Sequence, residues 1–261
     1  MPASTCIWCL NFTDDTDDTD VEHIFPDSLG CPEHLVLPGS VVCKRCNNGL
    51  AHLDQAVADE FDLSALLHGV PRKGGRPAVV LNRGNVYGWQ SQTGPQLHFN
   101  LESHPVESVD GRRIAAYRGK PRDIRAAFSK EGPKGRLQFD VAFGQSKKFV
   151  PGIVKTAFNC LAFLLGADEA RQSGFRDIRD FVLRGIGNRS VLVSFSNDED
   201  FKLEAHPPFK ASHGYCIELR IGSAKFVVDL SNGEALLPVI KAKALEQYGN
   251  NGWLLLPVEH Q

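Results

Sequence analysis

Two Cys-x-x-Cys pairs, Cys6/Cys9 and Cys43/Cys46, stand near the start of the chain with 33 residues between them. Each pair presents two thiolates at the ~2.3 Å distance and tetrahedral angles that Zn2+ prefers, and four soft ligands make a closed, structural site. Such a site brings both ends of the intervening segment to one point, so it constrains the fold of the first fifty residues more than any local propensity. The chain has seven cysteines in all. An odd count with no secretory leader argues for reduced thiols, some of them metal-bound, and for a cytoplasmic protein. The isolated Cys31, Cys160 and Cys216 are expected to be ordinary buried thiols.

Between the pairs lies Val21-Glu22-His23-Ile24-Phe25-Pro26-Asp27-Ser28-Leu29-Gly30, and Asn47-Asn48 directly follows the second pair. Together with the cysteines this pattern resembles the branch of the HNH endonucleases whose ββα active site is held between two zinc-binding cysteine pairs. The resemblance covers residues 6 to about 54, a fifth of the chain. It implies that Glu22 binds the catalytic metal, that His23 is the general base, and that Asn47 ligates the same metal from the start of a helix. The implied activity is hydrolysis of DNA phosphodiester bonds with one divalent metal, Mg2+ or Mn2+, leaving 5′-phosphate and 3′-hydroxyl ends, in bacterial or phage restriction or defence.

The residue types suit those roles on physical grounds. Imidazole changes charge near neutrality and so can take a proton from water at cellular pH. A carboxylate and an amide carbonyl are hard oxygen ligands, fit for Mg2+ or Mn2+, and leave coordination sites for a phosphate. Neighbours on a strand point to opposite sides, so Glu22 and His23 can serve one phosphate only if the strand ends or bends there, as Pro26 suggests. One departure stands out. Many family members carry an Asn about five residues before the third cysteine, bracing the loop behind the base. Here Pro38 and Gly39 occupy that position, so a backbone carbonyl or another residue must orient His23. His52, on one helical face with Asn48, is a further candidate metal ligand.

Net charge is −2, but the charges are segregated. Residues 1–68 hold twelve Asp/Glu against two Lys/Arg, residues 69–149 six against fifteen, and residues 150–261 thirteen against twelve. The candidate nuclease segment therefore cannot attract a polyanion by its own field, and four zinc-bound thiolates add a further negative charge. The stretch 111–136 supplies Arg112, Arg113, Arg118, Lys120, Arg122, Arg125, Lys130, Lys134 and Arg136, an expected phosphate track for double-stranded DNA. The Asp-rich run 14–20 reads as a solvated loop. One ββα site cuts one strand, so a double cut would need a homodimer.

Apolar residues at Leu50, Leu53, Val57, Phe61 and Ala65 recur once per helical turn and predict a helix over 47–68. Residues 69–76, rich in glycine, proline and cations, read as a linker. Strands are expected over 78–81, 85–89 and 137–143, helices over 150–165 and 168–183, and strands over 190–195, 215–221, 225–230 and 253–258. Gly222-Ser223 suits a type II′ hairpin turn. The apolar run 149–165 carries Lys155 and Asn159 and is shorter than the ~20 residues a bilayer demands, so it reads as a core helix. The expected fold is α+β: a zinc-pinned ββα module over 1–68, the linker, and a mixed α+β recognition or sensor domain over 77–261. A non-catalytic, zinc-stabilised nucleic-acid- or partner-binding protein is the alternative.

Overall fold

A computed structural model describes residues 5–11, 21–77, 79–83, 86–99, 106–109, 112–115, 125–131, 134–140, 143–196, 200–211, 214–248 and 252–257. The Asp-rich run 14–20 lies outside the described residues. The fold mixes helices and antiparallel strands, as the α+β expectation requires. Among the described residues no helix is long and apolar enough to cross a membrane.

A two-stranded hairpin opens the fold, β1 (Glu22–His23) pairing antiparallel with β2 (Val36–Leu37) so that Glu22 lies opposite Leu37 and His23 opposite Val36. A 3-10 turn, Asp27–Leu29, follows Pro26 and ends β1 after two residues. Helix α1 spans Lys44–Leu67, with Cys43 at its N-cap. Leu50, Leu53, Val57, Phe61 and Ala65 are all buried, so the helical period expected from the sequence does mark the inward face.

Three strands follow, β3 (Val79–Arg83), β4 (Val86–Ser91) and β5 (Gly94–Phe99), paired in that order and packed by β3 and β4 against α1. A four-stranded meander comes next: β6 (Val106–Val109), β7 (Arg112–Ala115), β8 (Arg125–Glu131) and β9 (Lys134–Asp140). The strand expected over 137–143 is thus shifted towards the N-terminus. Phe143 leaves it and packs edge-on against Phe61, Phe149 and Phe195.

Helix α2, Phe149–Leu165, is the centre of the molecule. It packs against α1, β2 and the large sheet, and Lys155, Thr156 and Asn159 are buried among its apolar residues. The approach to α1 is close because position 152 is glycine: a Cβ there would meet Val57 Cγ2 at 2.6 Å and the Leu53 carbonyl oxygen at 2.8 Å. The single helix expected over 168–183 is instead two, α3 (Ala167–Ala170) and α4 (Arg176–Arg184), separated by a 3-10 turn at Ser173–Phe175. At the break the buried Arg179 guanidinium donates to the carbonyls of Ala170 (3.0 Å) and Gln172 (2.9 Å), and the Gln172 carbonyl also accepts the Phe175 N–H (3.3 Å).

The large sheet contains β10 (Val191–Phe195), β11 (Leu203–Ala205), β12 (Phe209–Ala211), β13 (Gly214–Ile221), β14 (Ala224–Asp229) and β15 (Leu254–Leu256). Its order is β11-β13-β14-β10-β15, with β12 also paired to β13. Gly222 takes φ 58° while Ser223 keeps a negative φ, as a type II′ turn between β13 and β14 requires. Helix α5, Leu237–Tyr248, precedes the last strand. One hydrophobic cluster runs from Cys6 and Trp8 through α1 and α2 to Phe226 and Leu256. The apolar contacts of the first 68 residues therefore continue into residues 143–256.

Candidate functional site

The two cysteine pairs meet. Cys6 and Cys9 sit on a knuckle closed by Leu10 N–H donating to the Cys6 carbonyl (3.0 Å), while Cys43 and Cys46 occupy the first turn of α1. All four sulfurs lie within 4.8 Å of one another, and Cys9 Sγ is 3.8 Å from Cys43 Sγ. Bonds of ~2.3 Å in a tetrahedron put sulfurs about 3.8 Å apart, so the cluster can hold a metal ion such as zinc. The Cys46 thiol and the backbone N–H groups of Cys43, Cys9 and Trp8 hold the Cys6 thiol down to about 5, while the same Cys6–Cys46 contact pushes Cys46 up and burial pushes Cys43 up, so one thiolate is shared within the cluster. Arg171 fastens this centre to α3, its Nε donating to the Thr5 carbonyl at 2.6 Å. Among the described residues, these four cysteines are the one group of three or more His, Cys, Asp or Glu whose ligand atoms gather this tightly. Burial pushes the Cys31 thiol up to about 11 and Cys216 to about 12, in keeping with inert core thiols.

Beside the centre, a hollow of about 200 Å3 is lined by Glu22, His23, Asp27, Asn47, Asp54 and Gln55, among others. The three residues singled out by the motif thus share one concavity. His23 is half-buried, with Nε2 3.7 Å from Asp27 Oδ1, so Asp27 is the carboxylate that faces the imidazole. Asn47 donates from Nδ2 to the Val21 carbonyl at 3.1 Å, tying the start of α1 to the entry of β1.

Glu22 is 2% exposed, and its partners come from α2. Lys155 Nζ lies 2.5 Å from Glu22 Oε1, and Asn159 Nδ2 donates to the same oxygen at 2.8 Å. Lys155 also donates to Asp54 Oδ1 and Oδ2 at 2.7 and 2.6 Å. The Trp8 indole N–H, from the cysteine knuckle, donates to Asn159 Oδ1 at 3.1 Å. Asp54 and Glu22 raise the Lys155 ammonium above its ordinary range against the opposing effect of burial. Lys155, Asn159 and Asp54 were not anticipated as site residues. The signal that could have found them is a lysine in an otherwise apolar helix, because a buried ammonium requires carboxylate partners.

His52 lies away from the hollow, on another face of α1. Its Nδ1 is 2.9 Å from the Gly49 carbonyl, and it lines a separate, larger groove. In the basic segment, Arg112 and Arg113 lie on β7, Arg125 and Lys130 on β8, and Lys134 and Arg136 on β9. Arg118, Lys120 and Arg122 lie outside the described residues.

No family model matches the chain, and neither a curated protein nor a solved structure is found to be similar to it.

Proposed function

We propose that the chain is a metal-dependent endonuclease that hydrolyses DNA phosphodiester bonds, with His23 as the general base. The observation that carries this reading is the convergence of His23, Asn47, Glu22, Asp27 and Asp54 on one hollow, between a short hairpin and a helix whose first turn holds half of a four-cysteine centre. His23 accepts the proton of the attacking water, and Asp27 stabilises the imidazolium that forms. Oxygen donors around the hollow suit Mg2+ or Mn2+. Asn47 would hold the ion, together with the Glu22 oxygen that Lys155 and Asn159 do not take, while Asp54 gives both its oxygens to Lys155. A divalent ion held there would supply the positive charge that polarises the phosphate. Lys155 bridges the two inner carboxylates, and the Trp8 indole fixes Asn159 behind them.

Incubating zinc-loaded protein with plasmid in Mg2+ or Mn2+ tests the reading by gel. Cutting that disappears in His23→Ala, with zinc content retained, supports it. Plasmid left intact by the wild type in both metals overturns it. A second reading, a zinc-stabilised protein that binds nucleic acid or a partner without cutting, is favoured by one observation: Glu22 is already neutralised by Lys155.

A further inference from the structure

On the face of α1 turned away from the hollow runs a groove of about 680 Å3, bounded by the cysteine knuckle, the first turns of α1 and α4. Arg45, Arg176, Arg179 and Arg184 line it, with Asp180 as the one carboxylate. Asp180 lies 3.1 Å from Arg184 and 3.7 Å from Arg176. These pairs are exposed, hold little energy, and can exchange for another anion. Arg179 is different: it is 5% exposed, its guanidinium is met by two backbone carbonyls, and no carboxylate lies within 4.0 Å of it among the described residues. Asp177 and Asp180 act on it only from beyond ion-pair distance, so the arginines leave a positive field that favours an anion in the groove. Arg45 likewise stands on the groove without an ion pair among the described residues. Leu10 and Leu183 add exposed apolar surface at the rim. Cys9 and Cys46 also line the groove, so it adjoins the cysteine centre.

We propose that this groove binds the phosphodiester backbone of the DNA strand that is cut at the hollow, an inference that rests on the nuclease reading above. Arginine pairs with phosphate through two parallel N–H donors, and the leucines meet the apolar faces of the sugars. The path is short. Positions 45, 46, 49 and 52 of α1 face the groove and positions 47, 51, 54 and 55 face the hollow, so one helix thickness, about 10–12 Å with side chains, separates them. A strand seated in the groove therefore crosses the exposed first turns of α1 and reaches His23 within a few nucleotides. The grip comes from Arg45 and from the arginines that α4 presents along the groove.

The test is fluorescence anisotropy of a labelled duplex with His23→Ala protein, so that cutting does not interfere, across a salt series. Arg45→Ala, Arg176→Ala and Arg184→Ala are combined in that background; Arg179 is left intact because it braces the α3–α4 break. The expected result is at least a ten-fold loss of affinity at moderate salt. The slope of log affinity against log salt should become shallower by roughly 0.9 for each phosphate that is no longer neutralised. An unchanged affinity and slope overturns the groove, and if the wild type still cuts plasmid the nuclease reading survives that result. Loss of binding in the triple variant, together with intact plasmid under the wild type, retains the groove and removes the catalytic reading. A wild type with no affinity for DNA overturns both.

Discussion

Lys155 Nζ lies 2.5 Å from Glu22 Oε1 and 2.6 Å from Asp54 Oδ2, so one buried ammonium joins the hairpin, α1 and α2 behind the hollow. Each partner belongs to a different element, and Asn159 Nδ2 adds a second donor to the same Glu22 oxygen. The relationship makes α2 part of the site even though the recognisable motif ends about a hundred residues before it. It also sets a chemical limit, since the oxygen of Glu22 bound to Lys155 is occupied.

Lys155→Met should destabilise the fold by about 3–5 kcal/mol, because it leaves carboxylates facing each other with their counter-ion removed. The triple variant Lys155→Met, Glu22→Gln, Asp54→Asn should recover most of that loss, since no uncompensated charge remains. Urea denaturation midpoints of the wild type, single and triple variants provide the check. A single variant with the wild-type midpoint would show that the ammonium is not holding these elements together.

Wild-type protein purified without chelator should contain one zinc per chain by elemental analysis, and Cys46→Ser should contain none. Structural zinc contributes folding free energy directly. Trp8, Leu50, Leu53 and α2 share one hydrophobic cluster, so the loss should lower the main thermal transition and not only fray the first fifty residues. A Cys46→Ser protein that retains a full zinc equivalent and melts normally would contradict the four-cysteine assignment.

The parts of this arrangement that were legible in the sequence are those whose determinants are local. Cysteine spacing fixed the ligand set, and one apolar residue per turn marked the buried face of α1. Gly222-Ser223 located the β13–β14 turn because two residues suffice to specify it. The carboxylate–ammonium network was not legible in the same way: Asn159 and Glu22 are 137 residues apart, and Lys155 and Asp54 are 101 apart. Asp54 lies off the apolar stripe of α1, and only tertiary packing turns it towards Lys155. The break between α3 and α4 escaped for a related reason, since the charged-apolar pattern runs across it while Arg179 donates to the carbonyls of Ala170 and Gln172 there. Strands β5 to β8 carry no clean alternation, which leaves their pairing to decide them.

Asn47→Ala and Asn47→Asp should separate folding from chemistry. The amide donates to the Val21 carbonyl, so alanine should cost about 1 kcal/mol in stability and also raise the Mg2+ or Mn2+ concentration needed for plasmid cutting. Aspartate removes the donor but keeps an oxygen ligand, so it should show a similar stability loss with a metal requirement closer to wild type. Identical metal titrations for all three proteins would remove Asn47 from the metal site.

Alkaline pH should weaken the fold partly through Cys31. Burial raises this thiol from 9.0 to about 11 in the folded state. A raised folded-state value gives stability that is fully present below the unfolded value and is lost as pH rises through the folded one. The window is therefore pH 9 to 11, and the loss is about 2–3 kcal/mol at ~1.4 kcal/mol per unit. Cys31→Ala should be less stable than the wild type at pH 8 and should close part of that gap by pH 11. Parallel stability–pH curves for the two proteins would show that Cys31 makes no contribution to the alkaline slope.

Gly152→Ala tests whether the docking of α2 on α1 sets the geometry of the hollow. The added methyl meets Val57 Cγ2 at 2.6 Å and the Leu53 carbonyl oxygen at 2.8 Å. Valine can rotate, but the carbonyl is backbone inside a helix and cannot yield without moving α1. The helices must therefore separate by a few tenths of an ångström, with a stability cost of about 1–3 kcal/mol. Lys155 lies three residues further along α2 and Asp54 follows Leu53 directly on α1, so the same displacement stretches the Lys155–Asp54 contacts, now 2.6 and 2.7 Å. Plasmid cutting should fall at a temperature where the variant is still fully folded, while the zinc content stays at one per chain, because the cysteine centre is built on the other end of that interface. Full activity in a folded, destabilised Gly152→Ala protein would mean that the hollow tolerates movement of α2 and that Lys155 holds the fold without setting the site.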